Sequence, residues 1–127
     1  MNWNLIQYFT QDEMACPCCG RCDMDLDYMM RLDWMRRNCG FPIPVNSGFR
    51  CSDYDKTIRG AGVHPTGHGV DLGIYGYRAY KVLSLATRAG FTGIGISQKG
   101  PRPSRFVHLD DLPEIPGVRP RSWIWSY

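Results

Sequence analysis

The stretch AGVHPTGHGVDLGI, residues 61–74, gathers His64, His68 and Asp71 among glycines, just ahead of an apolar run. Imidazole nitrogens and carboxylate oxygens are donors that zinc takes in catalytic sites. Between His64 and Asp71 stand Gly67 and Gly69, and glycine lets a backbone turn sharply and lie close to an ion. A further donor is His108 in RFVHLDD. Side chains alternate along a strand, so His108 shares a face with Phe106 and Asp110. Two imidazoles, one carboxylate and an open fourth position make a catalytic Zn2+ arrangement. Zinc lowers the pKa of a bound water to about 7 and polarises a carbonyl, which suits amide hydrolysis. The plainer reading is a surface histidine in a glycine-rich loop beside a hydrogen-bonded His–Asp pair, since short His/Asp patterns are common by chance. His68 makes a His-x-x-x-His spacing with His64, but Pro65 and Gly67 oppose the helix that such a pair needs. It is placed at the pocket rim, as a reserve ligand or proton donor.

The second set of reactive residues is sulfur. The chain has six cysteines, four of them in CPCCGRC (Cys16, Cys18, Cys19, Cys22), with Cys39 and Cys51 further on. The overlapping Cys-x-x-Cys pairs can supply half of a structural zinc site, with Cys39 or Cys51 completing it. Disulfides are the rival, disfavoured in a reducing cytosol, and free, partly buried thiols are a third possibility. Spacing does not separate the three.

These residues must be held by elements that the sequence also signals. Thr10 followed by Glu13 is a capping-box pattern that starts a short helix, and the cysteine cluster then forms a tight loop. From Asp25 to Cys39 the apolar residues Leu26, Met29, Met30 and Trp34 recur at helical spacing, with Gly40 as the stop. That face is read as core rather than as a cofactor box. PIPVNSGFR reads as a short edge strand with prolines at its start, and residues 52–69 as loop. GVDLGI reads as a buried strand. RAYKVLSLATRAG is an amphipathic helix with Ala79, Val82, Leu83, Ala86 and Ala89 on one face and Gly90 at its end. FTGIGIS and RFVHLD are two more strands. The tail from Asp111 to Tyr127, rich in proline and aromatic residues, is expected to wrap the surface. This order indicates an α+β fold, a small, largely antiparallel sheet flanked by two or three helices.

At 127 residues, the chain is read as a single domain, residues 1–127, large enough to bury a core unaided. A net charge of +3 comes from scattered arginines and gives no nucleic-acid stripe, though it suits an anionic partner such as a cell wall. No apolar run approaches the ~20 residues of a membrane span. MNWNLIQYFTQDEM lacks a basic stretch followed by an apolar one, so no secretory signal is read. The expected location is the cytoplasm of the producing cell, with any action outside depending on another release factor.

The order FTQDEMAC, PVNSGFRC, GVHPTGHGVD, GFTGIG and RFVHLD, with a tryptophan near the end, resembles the zinc D-Ala-D-Ala carboxypeptidase family of cell-wall peptidases, within the Hedgehog-like DD-peptidases. It is most similar to the short phage and bacterial members that serve as endolysins or murein endopeptidases. The likeness runs from about Phe9 to Trp123. It implies a small antiparallel sheet flanked by helices and Zn2+ held by His64, Asp71 and His108. It also implies Arg50, in SGFR, as the arginine that holds a substrate carboxylate or carbonyl, a role that a guanidinium fork suits; the plainer role is a structural salt bridge. Three departures stand out. Gly62 replaces the usual serine, and the loop from Arg50 to His64 is about two residues shorter than usual. Arg105 and Phe106 occupy the positions where many members carry the general base. Some short members share this lack and carry His-x-Asp, so Asp110 becomes the candidate base or the partner that orients His108.

The function implied is a zinc metallopeptidase that cuts an amide bond in the peptide part of peptidoglycan, as a phage lysis enzyme or a virion-associated murein hydrolase. It would act on the periplasmic or external cell wall, with other phage proteins (a release factor or virion components) as partners. The alternative is a non-catalytic zinc-binding module, structural or wall-binding, that keeps the peptidase fold. A third reading makes the cysteine cluster the working centre.

Overall fold

Thr10 and Glu13 close a reciprocal capping box, each side chain reaching the other's backbone N–H, and so start α1 (Gln11–Met14). The computed structural model describes residues 1–127. Asp25 caps α2 (Leu26–Cys39) by accepting from the Tyr28 N–H at 3.0 Å, and Gly40 ends it in the left-handed region. The inward stripe of α2 is Tyr28, Met29, Leu32, Met35 and Cys39. Met30 and Trp34, expected in the core, lie outside it, 49% and 37% exposed. The reason is rotational: Met30 and Trp34 form an i, i+4 pair that points away once Tyr28, Leu32 and Met35 turn inward.

Residues 52–69, read as loop, contain α3 (Ser52–Thr57) and a single 3-10 turn, His64–Thr66. The Cys51 sulfur caps α3 by accepting from the Tyr54 N–H, a weak cap that a search for Ser, Thr, Asp or Asn overlooks. The second long helix, α4 (Gly76–Ala89), buries Ala79, Val82, Leu85, Ala86 and Ala89 and stops at left-handed Gly90. It packs against α2 on one face of the sheet.

Five strands make that sheet: β1 (Val45–Ser47), β2 (Gly69–Leu72), β3 (Gly93–Ser97), β4 (Phe106–Asp110) and β5 (Trp123–Ser126), in the order β1-β2-β4-β3-β5. β1–β2, β2–β4 and β4–β3 are antiparallel, whereas β5 lies parallel to β3. The tail therefore does not merely wrap the surface: its end is a strand. The architecture is α+β with a mixed, mostly antiparallel sheet, and four α-helices rather than two or three.

Alternation divides the sheet chemically. Val70, Leu72, Val107, Leu109 and Ile94 join α2 and α4 in one apolar core. Buried side chains of this size contribute about 1.5–3 kcal/mol each. Tyr28, fully buried, donates its hydroxyl to the Leu109 carbonyl at 2.7 Å and ties α2 to β4. The other face carries a row fixed by register: Ser47 opposite Asp71, Asp71 opposite His108, His108 opposite Gly95, and Gly95 opposite Trp125.

Candidate metal centre

Asp71, His108 and Trp125 of that row line a cavity of about 640 Å³. Asp71 and His108 come from the paired strands β2 and β4, and His64 from the 3-10 turn that precedes β2. One donor atom from each lies within 4.8 Å of the others. His108 Nδ1 is 2.9 Å and His64 Nε2 3.4 Å from the same oxygen, Asp71 Oδ1. Both imidazoles are almost fully buried.

The remaining atom of each side chain is anchored from behind. His64 Nδ1 lies 2.8 Å from the Gly48 carbonyl, which only accepts, so this nitrogen carries the proton and Nε2 faces the centre. His108 Nε2 lies 2.9 Å from Asp110 Oδ2, which leaves Nδ1 facing the centre. Asp71 Oδ2 accepts from Arg50 Nη2 at 3.2 Å, leaving Oδ1 inward. Metal-binding histidines are oriented in this way, with the outer nitrogen donating to a carboxylate or carbonyl. Two nitrogens and one oxygen converging on a cavity fit a divalent cation with an open coordination position.

Electrostatics agree. Burial pushes Asp71 up, but hydrogen bonds from His108 and His64 outweigh it and hold the carboxyl well below its usual range. Burial alone would depress His108; the hydrogen bonds and charges of Asp110 and Asp71 reverse this and raise it. Without an ion, His108 sits between two carboxylates, Asp71 and Asp110.

Asp110 is wholly buried behind His108 and does not line the cavity. Its oxygens accept from His108, from Arg121 (Nε to Oδ1 2.9 Å, Nη2 to Oδ2 2.8 Å) and from the Leu112 N–H at 3.3 Å. Burial raises its pKa, yet the bonds from His108 and Arg121 bring it down to about 2. Of the two roles set out for Asp110, this geometry fits the carboxylate that orients His108, not a base facing substrate.

His68 is not at the rim. It flanks β2 one residue from Gly69, so its ring falls on the helix face of the sheet. There it lies edge-on to Tyr28, with Nδ1 2.7 Å from Asp111 Oδ1. The expectation of a reserve ligand fails on alternation alone: Asp71 and His68 are an odd number of residues apart. Arg50 lines the cavity while already bonded to Ser47 Oγ (2.9 Å), Asp55 Oδ1 (3.1 Å) and Asp71. The salt bridges set out as its plainer role are therefore present beside its cavity position.

Cys16, Cys18, Cys19 and Cys51 cluster, whereas Cys22 and Cys39 stand apart from them. Sequence reasoning missed Asp55, Arg121, Trp125 and Tyr127, all but Asp55 lining the cavity. The signal was present: Trp123, Trp125 and Tyr127 alternate as a strand should, under a proline-rich composition that suggested loop. Along β3 a Cβ at Gly95 would lie 2.6 Å from Trp125 Nε1, and one at Gly93 2.4 Å from the Asp110 oxygens. The bare glycines leave room for Trp125 and Arg121 to close over the floor.

No curated protein matches the chain. The family model described as peptidase M15 matches residues 7–110, the span that runs from the N-terminal loop through β4 and includes His64, Asp71 and His108. With that match over most of its length, the chain belongs to the peptidase M15 family of metallopeptidases.

Proposed function

We propose that this protein is a zinc-dependent peptidase that hydrolyses an amide bond in the peptide part of peptidoglycan. The carrying observation is the His64–Asp71–His108 group in the floor of a cavity that also presents Arg50. A zinc ion held by these residues would supply an acidified water and polarise the scissile carbonyl. The chain's own groups do the rest. The Gly48 carbonyl and Asp110 fix the two imidazoles, and Arg50 fixes Asp71. Three of the five guanidinium N–H donors of Arg50 are engaged, leaving two for a substrate carboxylate or carbonyl. Arg59, Arg119 and Arg121 also line the cavity, a setting that favours an anionic peptide. Trp125 and Tyr127 form an apolar wall able to cover the peptide and keep water out.

The resemblance to short phage members supports a role in phage lysis or in the virion, with release or virion proteins as partners. No helix is long and apolar enough to cross a membrane. Purified protein should release peptide fragments from murein sacculi, lose this on chelation, and regain it with zinc. Activity that survives in His108→Ala would sink the metal role.

One observation favours a second reading. Asp71 is the only acidic side chain lining the cavity, and its Oδ2 is held by Arg50, so no lining Asp or Glu is free to take a proton. A non-catalytic, wall-binding module with the same metal centre would bind sacculi and one zinc at this centre without cutting. Sacculus binding without fragment release decides for it.

A further inference from the structure

Outside this centre, the most concentrated chemistry is sulfur. We propose that Cys16, Cys18, Cys19 and Cys51 form a second, structural site for a soft divalent cation of the zinc type, clamping the N-terminal loop onto the start of α3. The proposal goes beyond the function above, which uses none of these cysteines.

The four sulfurs lie within 4.8 Å of one another, with Cys18 Sγ 3.4 Å from Cys51 Sγ and 3.7 Å from Cys16 Sγ. A tetrahedral zinc with Zn–S of about 2.3 Å has sulfur–sulfur edges of about 3.8 Å, so small shifts turn this group into that polyhedron. It is one group of four, where two disulfides would make two pairs. The loop is also built for it. Cys16 and Cys19 form a Cys-x-x-Cys step followed by Gly20 at φ +76°. The loop closes through Gly20 N–H to the Cys16 carbonyl (2.8 Å) and Cys16 N–H to the Arg21 carbonyl (2.7 Å). Backbone N–H groups point at the sulfurs, Cys51 N–H at Cys16 Sγ and Tyr54 N–H at Cys51 Sγ, both at 3.4 Å. The thiolate is the form that binds metal. Binding displaces the thiol protons to solvent and leaves every sulfur oxidation state unchanged.

The same geometry excludes the other two cysteines. Cys39 donates to the Arg36 carbonyl in the last turn of α2, and Cys22 packs against the core away from the four. The linkage gives the site a purpose. Cys51 follows Arg50, which grips Asp71 and Asp55, so clamping Cys51 holds Arg50 where the first centre needs it.

Metal-free, reduced full-length protein should be titrated with cobalt(II) alone and read for the thiolate-to-cobalt charge-transfer band. The wild type is expected to develop this band with one equivalent bound through sulfur, and to bind a second equivalent without it. His108→Ala should keep the band and lose the second equivalent, while Cys18→Ser and Cys51→Ser should lose the band. Cys22→Ser and Cys39→Ser should keep it, which guards against a mere folding failure. No band in the wild type, or a band that survives in Cys51→Ser, overturns the proposal. Oxidised pairs among these four cysteines in protein purified without reductant, with no sulfur-bound metal, also overturn it. The band reports sulfur ligation alone, so this result and the murein assay fail independently.

Discussion

Arg121 lies outside the residues matched by the family, yet it makes a two-point contact with the carboxylate that orients His108. Replacing it with alanine leaves Asp110 charged and wholly buried. Removing one partner of a buried ion pair costs about 3–5 kcal/mol. The low end applies because Asp110 keeps His108 and the Leu112 N–H. A loss of about 3 kcal/mol is a large share of the 5–15 kcal/mol typical of a domain. For a chain of this length it corresponds to a Tm lower by roughly 10 °C. Metal affinity should fall as well, by about 10-fold or more, because His108 loses a firmly held partner. Calorimetry of the metal-free protein measures the first effect and competition with a chromogenic chelator the second. In an Asp110→Asn background, with no buried charge left to strand, Arg121→Ala should cost about 1 kcal/mol or less. An Arg121→Ala protein that melts within about 2 °C of wild type and binds zinc as tightly would refute the reasoning.

Three further outcomes follow from the same geometry. Asp110 is held down to about 2 against about 3.9 unfolded, so its stabilisation is complete above pH 3.9 and vanishes as the pH falls toward 2. His108, raised in the metal-free protein, stabilises below about pH 6.5 and loses this as the pH rises through its folded value. Urea midpoints of metal-free protein should therefore drop between about pH 4 and 2, and Asp110→Asn should flatten that limb. Gly95→Ala would place a Cβ 2.6 Å from Trp125 Nε1; several-fold slower murein release with metal stoichiometry retained is expected, and unchanged turnover contradicts it. Tyr28→Phe removes the 2.7 Å bond to the Leu109 carbonyl and should cost about 0.5–1.5 kcal/mol by urea denaturation.

Both long helices, their glycine stops and four of the strands were legible, because long periodic runs bounded by caps carry their own signal. His64, Asp71 and His108 were legible as a set, since alternation put His108 on one face and the blocks around it matched a family. The burial of Asp110 was not. HLD reads the same whether the carboxylate faces solvent or an arginine eleven residues on, and only the pairing of β3 with β5 brings Arg121 there. His68 went astray because proximity in sequence outweighed strand parity. Met30 and Trp34 show a similar limit: helical spacing finds a stripe, but two neighbouring stripes of α2 are apolar and only packing chooses between them.

The sheet order also sorts the centre by how easily its parts come loose. His108 sits on β4, bonded along both edges by β2 and β3, whereas β5 is an outer strand bonded to β3 alone, with Trp123 and Ile124 more than half exposed. Amide hydrogens of β4 should exchange only through near-global unfolding and those of β5 through local opening. Local opening should therefore loosen the wall that carries Trp125 before it loosens the strand that carries His108.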